Sequence, residues 1–324
     1  DGDGVTLPVV RHVSIEDATL TYKDGVSGRE HVVVIESLSV QGGGGNDPME
    51  MALAGSYNDN TIQMAATLGA PAAFMRPAQP WPVALSLTAG GAKIAMKGTI
   101  GAPATGKNLN LTLNVSGAQL GDLSKLAGVD VPPLGAYKIA ATVTGDPKES
   151  VSLSNLSVKI GSSDLGGSVT AVLGGERPVI NATLTSELLD IADFVKPAAP
   201  AKTSATEQSA SETATSDRVF SDDPLPLDGL KAVDADVGLR IEKLLAGVEI
   251  DDVQVKLGLR NGDLNISTLK AIVADGAVDG GIRLNAAKAT PSLDAKLTVK
   301  GFDAGKMLTE LAVTDLLEGV LNVK

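Results

Sequence analysis

The sequence predicts a mainly β protein, a long curled antiparallel sheet with a few short amphipathic helices. Two observations carry this. Apolar and polar residues alternate along most of the 324 residues, the period-2 signature of half-buried strands. The alternation is also broken repeatedly by one figure: apolar, any, apolar, two polar residues, then apolar, any, apolar. In VSLSNLSVKIG, Val151 and Leu153 precede Ser154 and Asn155, and Leu156, Val158 and Ile160 follow on the other parity. VSIEDATLTY (Val13 to Tyr22), VVIESLSV (Val33 to Val40), VEIDDVQVKL (Val248 to Leu257) and LNISTLKA (Leu264 to Ala271) repeat it.

A slip of one residue would turn every later side chain to the opposite face of a sheet. A β-bulge restores the facing and adds bend and twist, which is why a sheet so built curls. Asp, Asn and Ser suit the site, because their short side chains bond nearby backbone groups. The other reading makes each polar pair a tight turn between two short strands.

Taken in order, the N-terminal strand signals run through Val13–Tyr22 and Val33–Val40 to a flexible turn at Gly42–Gly45. LNLTLNVSG then alternates through Leu109, Leu111, Leu113 and Val115 and runs into AQLGDLSKLAG, a short helical signal. Ile180, Ala182 and Leu184 lead likewise to Leu188, Ile191, Ala192 and Phe194. Leu293, Ala295, Leu297 and Val299 lead to Met307, Leu308 and Leu311. The spacing is irregular, so the chain reads as a divergent repeat. Residues 195–218, VKPAAPAKTSATEQSASETATSDR, are too poor in bulky apolar side chains to offset chain ordering and read as a disordered linker or loop. The predicted organisation is a β-groove segment at 1–194, the linker, and a continuing segment at 219–324.

Composition works mainly by exclusion. Aromatic residues make up 2% of the chain and Trp81 is the only tryptophan, so an aromatic-anchored sandwich core is not available. A net charge of −12 with no Lys/Arg run argues against nucleic acid as a partner. The absence of cysteine removes disulfides and thiolate metal sites. No apolar run approaches the roughly 20 residues of a spanning helix, and no signal peptide opens the chain, so DGDGV reads as a mature or trimmed start.

Catalytic chemistry finds no constellation. His12 and His31, the two histidines, lie among alternating strand residues. Asp222–Asp223 and Asp251–Asp252 could be imagined as carboxylate dyads or calcium ligands, but neighbours on a strand point to opposite faces. GGSVTAVLGG places strand residues where a phosphate loop needs a helix start. The Asn-x-Ser/Thr matches at Asn114, Asn155, Asn181 and Asn265 fall within strands. The expectation is a protein that is not an enzyme, with no cofactor and no metal site.

The stretches VPPLGAYKIAATVTG, LSVKIGSSDLGGSVTAVLGGERPVINATLTSELLDIADF and VFSDDPLPLDGLKAVDADVGLRI resemble the core of the AsmA family of bacterial envelope proteins. The matching positions include Gly161, Ser163, Asp164 and Gly166 in a turn, Arg177 and Pro178 before the next strand, and Leu184, Ser186, Leu189 and Asp190 at a helix entry. The resemblance runs from about Val9 onward. It implies a periplasm-facing β protein of the Gram-negative envelope, anchored in the inner membrane by an N-terminal helix that this chain lacks. It further implies a role in outer-membrane lipid homeostasis, of the kind performed by repeating β-groove, bridge-like lipid transfer proteins. The missing helix, and an end at LLEGVLNVK where the family pattern continues, suggest a fragment of a longer protein.

Energetics lead to the same groove. Each Val, Leu or Ile left wet forgoes roughly 1.5–3 kcal/mol of burial free energy, so the apolar face needs a second layer, a partner or a ligand. The helical signals are too few to roof it. The expected architecture is therefore a long curled antiparallel sheet forming an apolar groove for phospholipid acyl chains. The rows expected to line it are Leu109, Leu111, Leu113 and Val115; Tyr137, Ile139 and Val143; Val151 and Leu153; and Val253, Val255 and Leu257. The rival readings are an envelope assembly factor, a closed β-sandwich or barrel binding outer-membrane proteins or other envelope partners through a sheet edge, and a passive β-repeat such as an adhesin stalk.

Overall fold

The computed structural model describes residues 11–25, 30–42, 45–58, 60–74, 79–123, 134–194, 227–287, 291–310 and 320–323. The predicted linker 195–218, Gly43, Gly44, Asp222, Asp223 and the ends of two helical signals beyond Leu123 and Glu310 lie outside the described residues. The strands are β1 (His12–Lys23), β2 (Glu30–Gly42), β3 (Met49–Tyr57), β4 (Asn60–Leu68), β5 (Trp81–Ala89), β6 (Ala92–Ala102), β7 (Lys107–Gly117), β8 (Tyr137–Asp146) and β9 (Ser150–Ile160). They continue as β10 (Ser163–Val172), β11 (Val179–Asp190), β12 (Asp234–Leu245), β13 (Glu249–Arg260), β14 (Asp263–Val273), β15 (Gly276–Asn285), β16 (Ser292–Asp303) and β17 (Val320–Val323). All belong to one 17-stranded sheet, each strand bonded to the next in chain order, and the sheet is not closed.

Neighbours run antiparallel with one exception. β11 and β12 are parallel, in register from Val179 opposite Asp234 to Asp190 opposite Leu245. Alternation reports which face a residue occupies but not the direction of its neighbour, so the purely antiparallel expectation misses this step. It carries the sheet without interruption into the C-terminal strands.

The five interrupted figures are bulges inside continuous strands, not turns. The ladders shift at Ile35/Ser37, at Gly167/Val169 opposite Asn155, at Asp251/Gln254 and at Ile266/Leu269, and the β1–β2 register skips Asp17. Asp17, Asn155 and Asp252 take φ of 52°, 50° and 50°, the left-handed region that Asn and Asp tolerate best after glycine. Tight hairpins supply the turns. At β13–β14, Asn261 and Gly262 both have positive φ (49° and 80°), the mirror-image turn whose twist matches the flanking strands.

The helical signals are shorter than expected. Leu120–Leu123 and Ile191–Phe194 are single 3₁₀ turns, η1 and η2, and β11 runs through Leu184, Ser186 and Leu189 to Asp190, where a helix entry was expected. A third 3₁₀ turn, η3 (Leu227–Lys231), precedes β12. Pro71–Phe74 (α1) is one turn, and Ala304–Glu310 (α2) is the only longer helix among the described residues.

η1, η2 and α2 follow β7, β11 and β16, and all lie along the same rim of the sheet. Each meets the hairpin turn formed by the two preceding strands. Asp122 of η1 stands over the β5–β6 turn, where a Cβ on Gly91 would lie 3.0 Å from its Oδ2. Asp193 of η2 holds the β9–β10 turn, accepting hydrogen bonds from the Ser162 and Ser163 amides, each at 2.9 Å. At the third site Lys306 Nζ of α2 reaches Asp275 of the β14–β15 turn at 2.8 Å, and the Asp303 amide donates to the Ala274 carbonyl at 3.0 Å.

Candidate functional site

The two faces of the sheet differ in chemistry. Leu111 on β7 faces Val143, and the row continues strand by strand through Leu153, Val169, Ala182, Val237, Leu257, Ile266 and Ile282. Eight bonded neighbours after β7 thus carry one unbroken aliphatic line across the parallel step. On the other face Gln41, Glu50, Thr67, Ala84, Lys97, Thr112, Thr142 and Ser154 form a comparable line of polar and small residues.

No second layer of described residues covers the aliphatic face. Among the described residues every substantial contact between elements joins sheet neighbours, apart from η2 against β12, and no large side chain is fully buried. The side chains of this face are half-covered by their own neighbours in the sheet. Leu109, Leu113, Val115, Ile139, Val143, Val151, Leu153, Val255 and Leu257 are all half-buried, whereas their polar-face neighbours Asn110, Thr112, Asn114 and Lys256 are exposed.

All twelve residues expected to line the groove lie on this one face. Leu109 faces Gly145, which faces Val151; Val115 faces Ile139; and Leu239 on β12 links Leu184 to Val255, as Ile241 links Ser186 to Val253. Three of the twelve are already covered by protein: Leu111 and Val253 are each 7% exposed and Tyr137 2%. Tyr137 lies over Gly117, where a Cβ would sit 2.6 Å from its Cε1. Its hydroxyl is buried without a hydrogen-bond partner, and burial, followed by the Asp122 charge, raises its pKa above the usual tyrosine value. Tyr137 is therefore a plug at the rim as much as a wall. At the opposite rim Trp81 closes the β4–β5 end, donating from Nε1 to the Ala70 carbonyl at 3.1 Å and meeting Phe74 edge-on at 5.4 Å.

The motif residues on β10 and β11 act on the fold itself. Ser163 Oγ donates to Asp193 Oδ2 at 2.7 Å and accepts from the Asp190 amide at 2.9 Å. Asp164 accepts from the Glu187 and Leu188 amides at 3.1 and 2.8 Å. Gly161, at φ 58°, leaves no room for a side chain, since a Cβ would meet Asp193 Oδ1 at 2.1 Å. The Ser163 hydroxyl is the first cause that holds the Asp193 carboxyl below its usual range; desolvation opposes it, and the Ser162 hydroxyl and both serine amides assist. Asp193 was not singled out in the sequence, although Asp190, whose carboxylate accepts from the Ala192 amide at 2.9 Å, marks the turn start that places it.

The remaining polar candidates do not converge. Asp251 and Asp252 each stand near a cation, Lys243 at 3.9 Å and Arg240 at 3.4 Å. His31 Nδ1 lies 2.6 Å from the Tyr57 hydroxyl, and its ring stacks between Tyr22 and Tyr57. Among the described residues no group of three or more His, Asp or Glu could hold a metal ion, and no helix is long and apolar enough to cross a membrane.

An open, single-layer sheet with one aliphatic and one small polar face defines a β-groove scaffold. The profile of the AsmA family matches residues 50–324, and this chain belongs to that family. It is similar to the AsmA family protein YhjG of Escherichia coli strain K12, at 24% identity over 282 residues covering 83% of the chain. The chain spans 41% of that relative's length. No solved structure matches.

Proposed function

We propose that the protein binds phospholipid through its aliphatic face and passes it along the sheet, acyl chains in the groove and headgroup in solvent. The single observation that carries this reading is the unbroken aliphatic line from Leu111 to Ile282 with no described protein layer above it. A wall of branched aliphatics suits fluid chains, and at roughly 1.5–3 kcal/mol per side chain it gains strongly from being covered by them. In this reading the protein works in the periplasm of a Gram-negative envelope, held at the inner membrane in its full-length form, and serves outer-membrane lipid homeostasis without a chemical step.

The test is native mass spectrometry of detergent-free protein, with solvent extraction of whatever accompanies it. Phospholipid at reproducible stoichiometry is expected. Val255 is half-buried, so Val255→Asp sets a charge in the groove while sparing the fold. It should lower lipid occupancy by about tenfold or more, the cost of a carboxylate against hydrocarbon. Leu111→Asp should do the same, with added loss of stability because Leu111 is 7% exposed. Full lipid occupancy in folded Val255→Asp removes these rows as the binding surface.

A second reading, an assembly factor that pairs with a partner strand, draws on β1, which pairs with β2 alone among the described strands and on which Leu20 and Tyr22 are 64% and 61% exposed. A reproducibly lipid-free, folded monomer would favour it.

A further inference from the structure

Opposite the groove, the polar face carries a cluster that lipid carriage along the aliphatic face does not use. Lys93 on β6 faces Ser116 on β7, which faces Lys138 on β8, which faces Lys159 on β9. These four residues line one concavity of about 540 Å³, floored by small residues including Gly91, Gly117 and Gly161. Strands stand roughly 4.8 Å apart, so Lys138 and Lys159 are immediate neighbours and Lys93 lies two strands away, with the Ser116 hydroxyl between.

The arrangement costs stability as it stands. Like charges directly opposite on neighbouring strands repel, and Lys138 and Lys159 are such a pair. Many cations on this sheet are neutralised locally, as Lys107 is by Glu149 at 2.7 Å and Lys270 by Asp279 at 3.8 Å. Lys93, Lys138 and Lys159 have no carboxylate within 4.0 Å among the described residues, and all three are exposed. Asp164, opposite Lys159, spends its carboxylate on the Glu187 and Leu188 amides. Asp193, at the Gly161 end of the row, is committed to Ser162 and Ser163, while Asp122 stands at the Gly91 end. In a chain of net charge −12, three ammonium groups in one row without an ion pair, with carboxylates only at the margins, are an uncommon concentration of positive charge.

We propose that Lys93, Lys138, Lys159 and the Ser116 hydroxyl bind a phosphate group, carried by a phospholipid headgroup or a free phosphoester, on the sheet face opposite the groove. The charge fits the ligand: three flexible ammonium groups can close on one phosphate bearing up to two negative charges, each donating to a different oxygen. The cluster is too short for a nucleic-acid backbone, which needs a longer cationic track.

The test titrates the isotope-labelled full chain with inorganic phosphate and follows the amides of Ser116, Lys138 and Lys159 by NMR. Saturable shifts are expected at millimolar phosphate, weakened at least tenfold in Lys138→Gln/Lys159→Gln and unchanged in Lys270→Gln. Removing the repulsion should leave the double variant at least as thermally stable as the parent, so lost binding is separable from lost fold. Flotation with phosphatidylglycerol-containing vesicles against pure phosphatidylcholine vesicles then separates the sources. Lysine-dependent flotation with the anionic vesicles assigns the site to a headgroup; phosphate shifts without such flotation assign it to a free phosphoester. The proposal is overturned if neither probe binds in a lysine-dependent way, including the case where phosphate shifts persist equally in the double variant. Val255→Asp should still bind phosphate, which keeps this result independent of the groove.

Discussion

Removing the Asp193 carboxylate should loosen one rim of the sheet and leave the remainder closed. Its Oδ2 accepts from the Ser162 amide and hydroxyl, each at 2.9 Å, and from the Ser163 amide and hydroxyl at 2.9 and 2.7 Å. The two Ser162 bonds are exposed and replaceable by water. The two Ser163 bonds are part-buried, and Ser163 is 2% exposed. Counting only these, at about 1–1.5 kcal/mol net for each, the range of an ordinary hydrogen bond because partial burial leaves the carboxylate in contact with water, Asp193→Ala should lower the local opening free energy by about 2–3 kcal/mol. Asp193→Asn, which keeps one acceptor, should lose about half of that. Native-state hydrogen exchange is the assay, because a long single-layer sheet opens locally. The Ser162, Ser163 and Asp190 amides should exchange about 30- to 160-fold faster in Asp193→Ala, with the β1–β4 amides unchanged. The sign with pH follows from the depressed carboxyl. The unfolded chain binds that proton more readily, so the contribution is complete above the usual carboxyl range and is lost as pH falls through the lower folded-state value. Exchange within threefold of the parent at all three amides, or no protection lost on acidification, would refute the clamp.

Other expectations follow from single residues. Asn155 sits in a bulge at φ 50°, so Asn155→Val should cost about 1–2 kcal/mol of stability by urea denaturation while Asn155→Gly stays within about 0.5 kcal/mol. Tyr137→Phe removes a buried hydroxyl that has no partner and should be neutral or slightly stabilising in thermal melts. In spectrophotometric titration Tyr137 should ionise above the usual tyrosine range, because burial and Asp122 disfavour the phenolate, and its signal should be the one missing in Tyr137→Phe.

The strands, their shared face and the places where the alternation breaks are legible in the sequence because each rests on local parity; that the breaks are bulges and not turns is decided by the ladders on either side. The pair Asp251–Asp252 or Ser154–Asn155 marks a break by displacing the alternation, and φ at Asp252 and Asn155 is what such residues permit. The parallel pairing of β11 with β12 is not legible, since it depends on how the chain returns from Asp190 to Asp234 and not on either strand's own pattern. The helical signals misled in length. Leu188 and Ile191 fit a helical stripe, yet tertiary pairing keeps Leu188 and Leu189 in the ladder opposite Lys243 and Leu244. Ser163 reads as a turn residue and proves to be buried, because the partners that satisfy it, Asp190 and Asp193, lie 27 and 30 positions away. The lysine row is invisible for the same reason: its members become neighbours only once three ladders are in register.

The parallel step settles a question of phase. In a strict meander, every second strand ends on the same side. From β7 to β11 the count is even and η1 and η2 fall together, but from β11 to β16 it is odd, and α2 would have landed on the far side. One strand pair laid in the same direction absorbs the odd count, so all three clasps line one long seam. Each clasp secures its own hairpin, and a sheet of this design can be lengthened by whole panels without disturbing those in place. The opposite seam, held by hairpin turns and the Trp81–Phe74 contact, is the side from which the sheet would be pried apart under load.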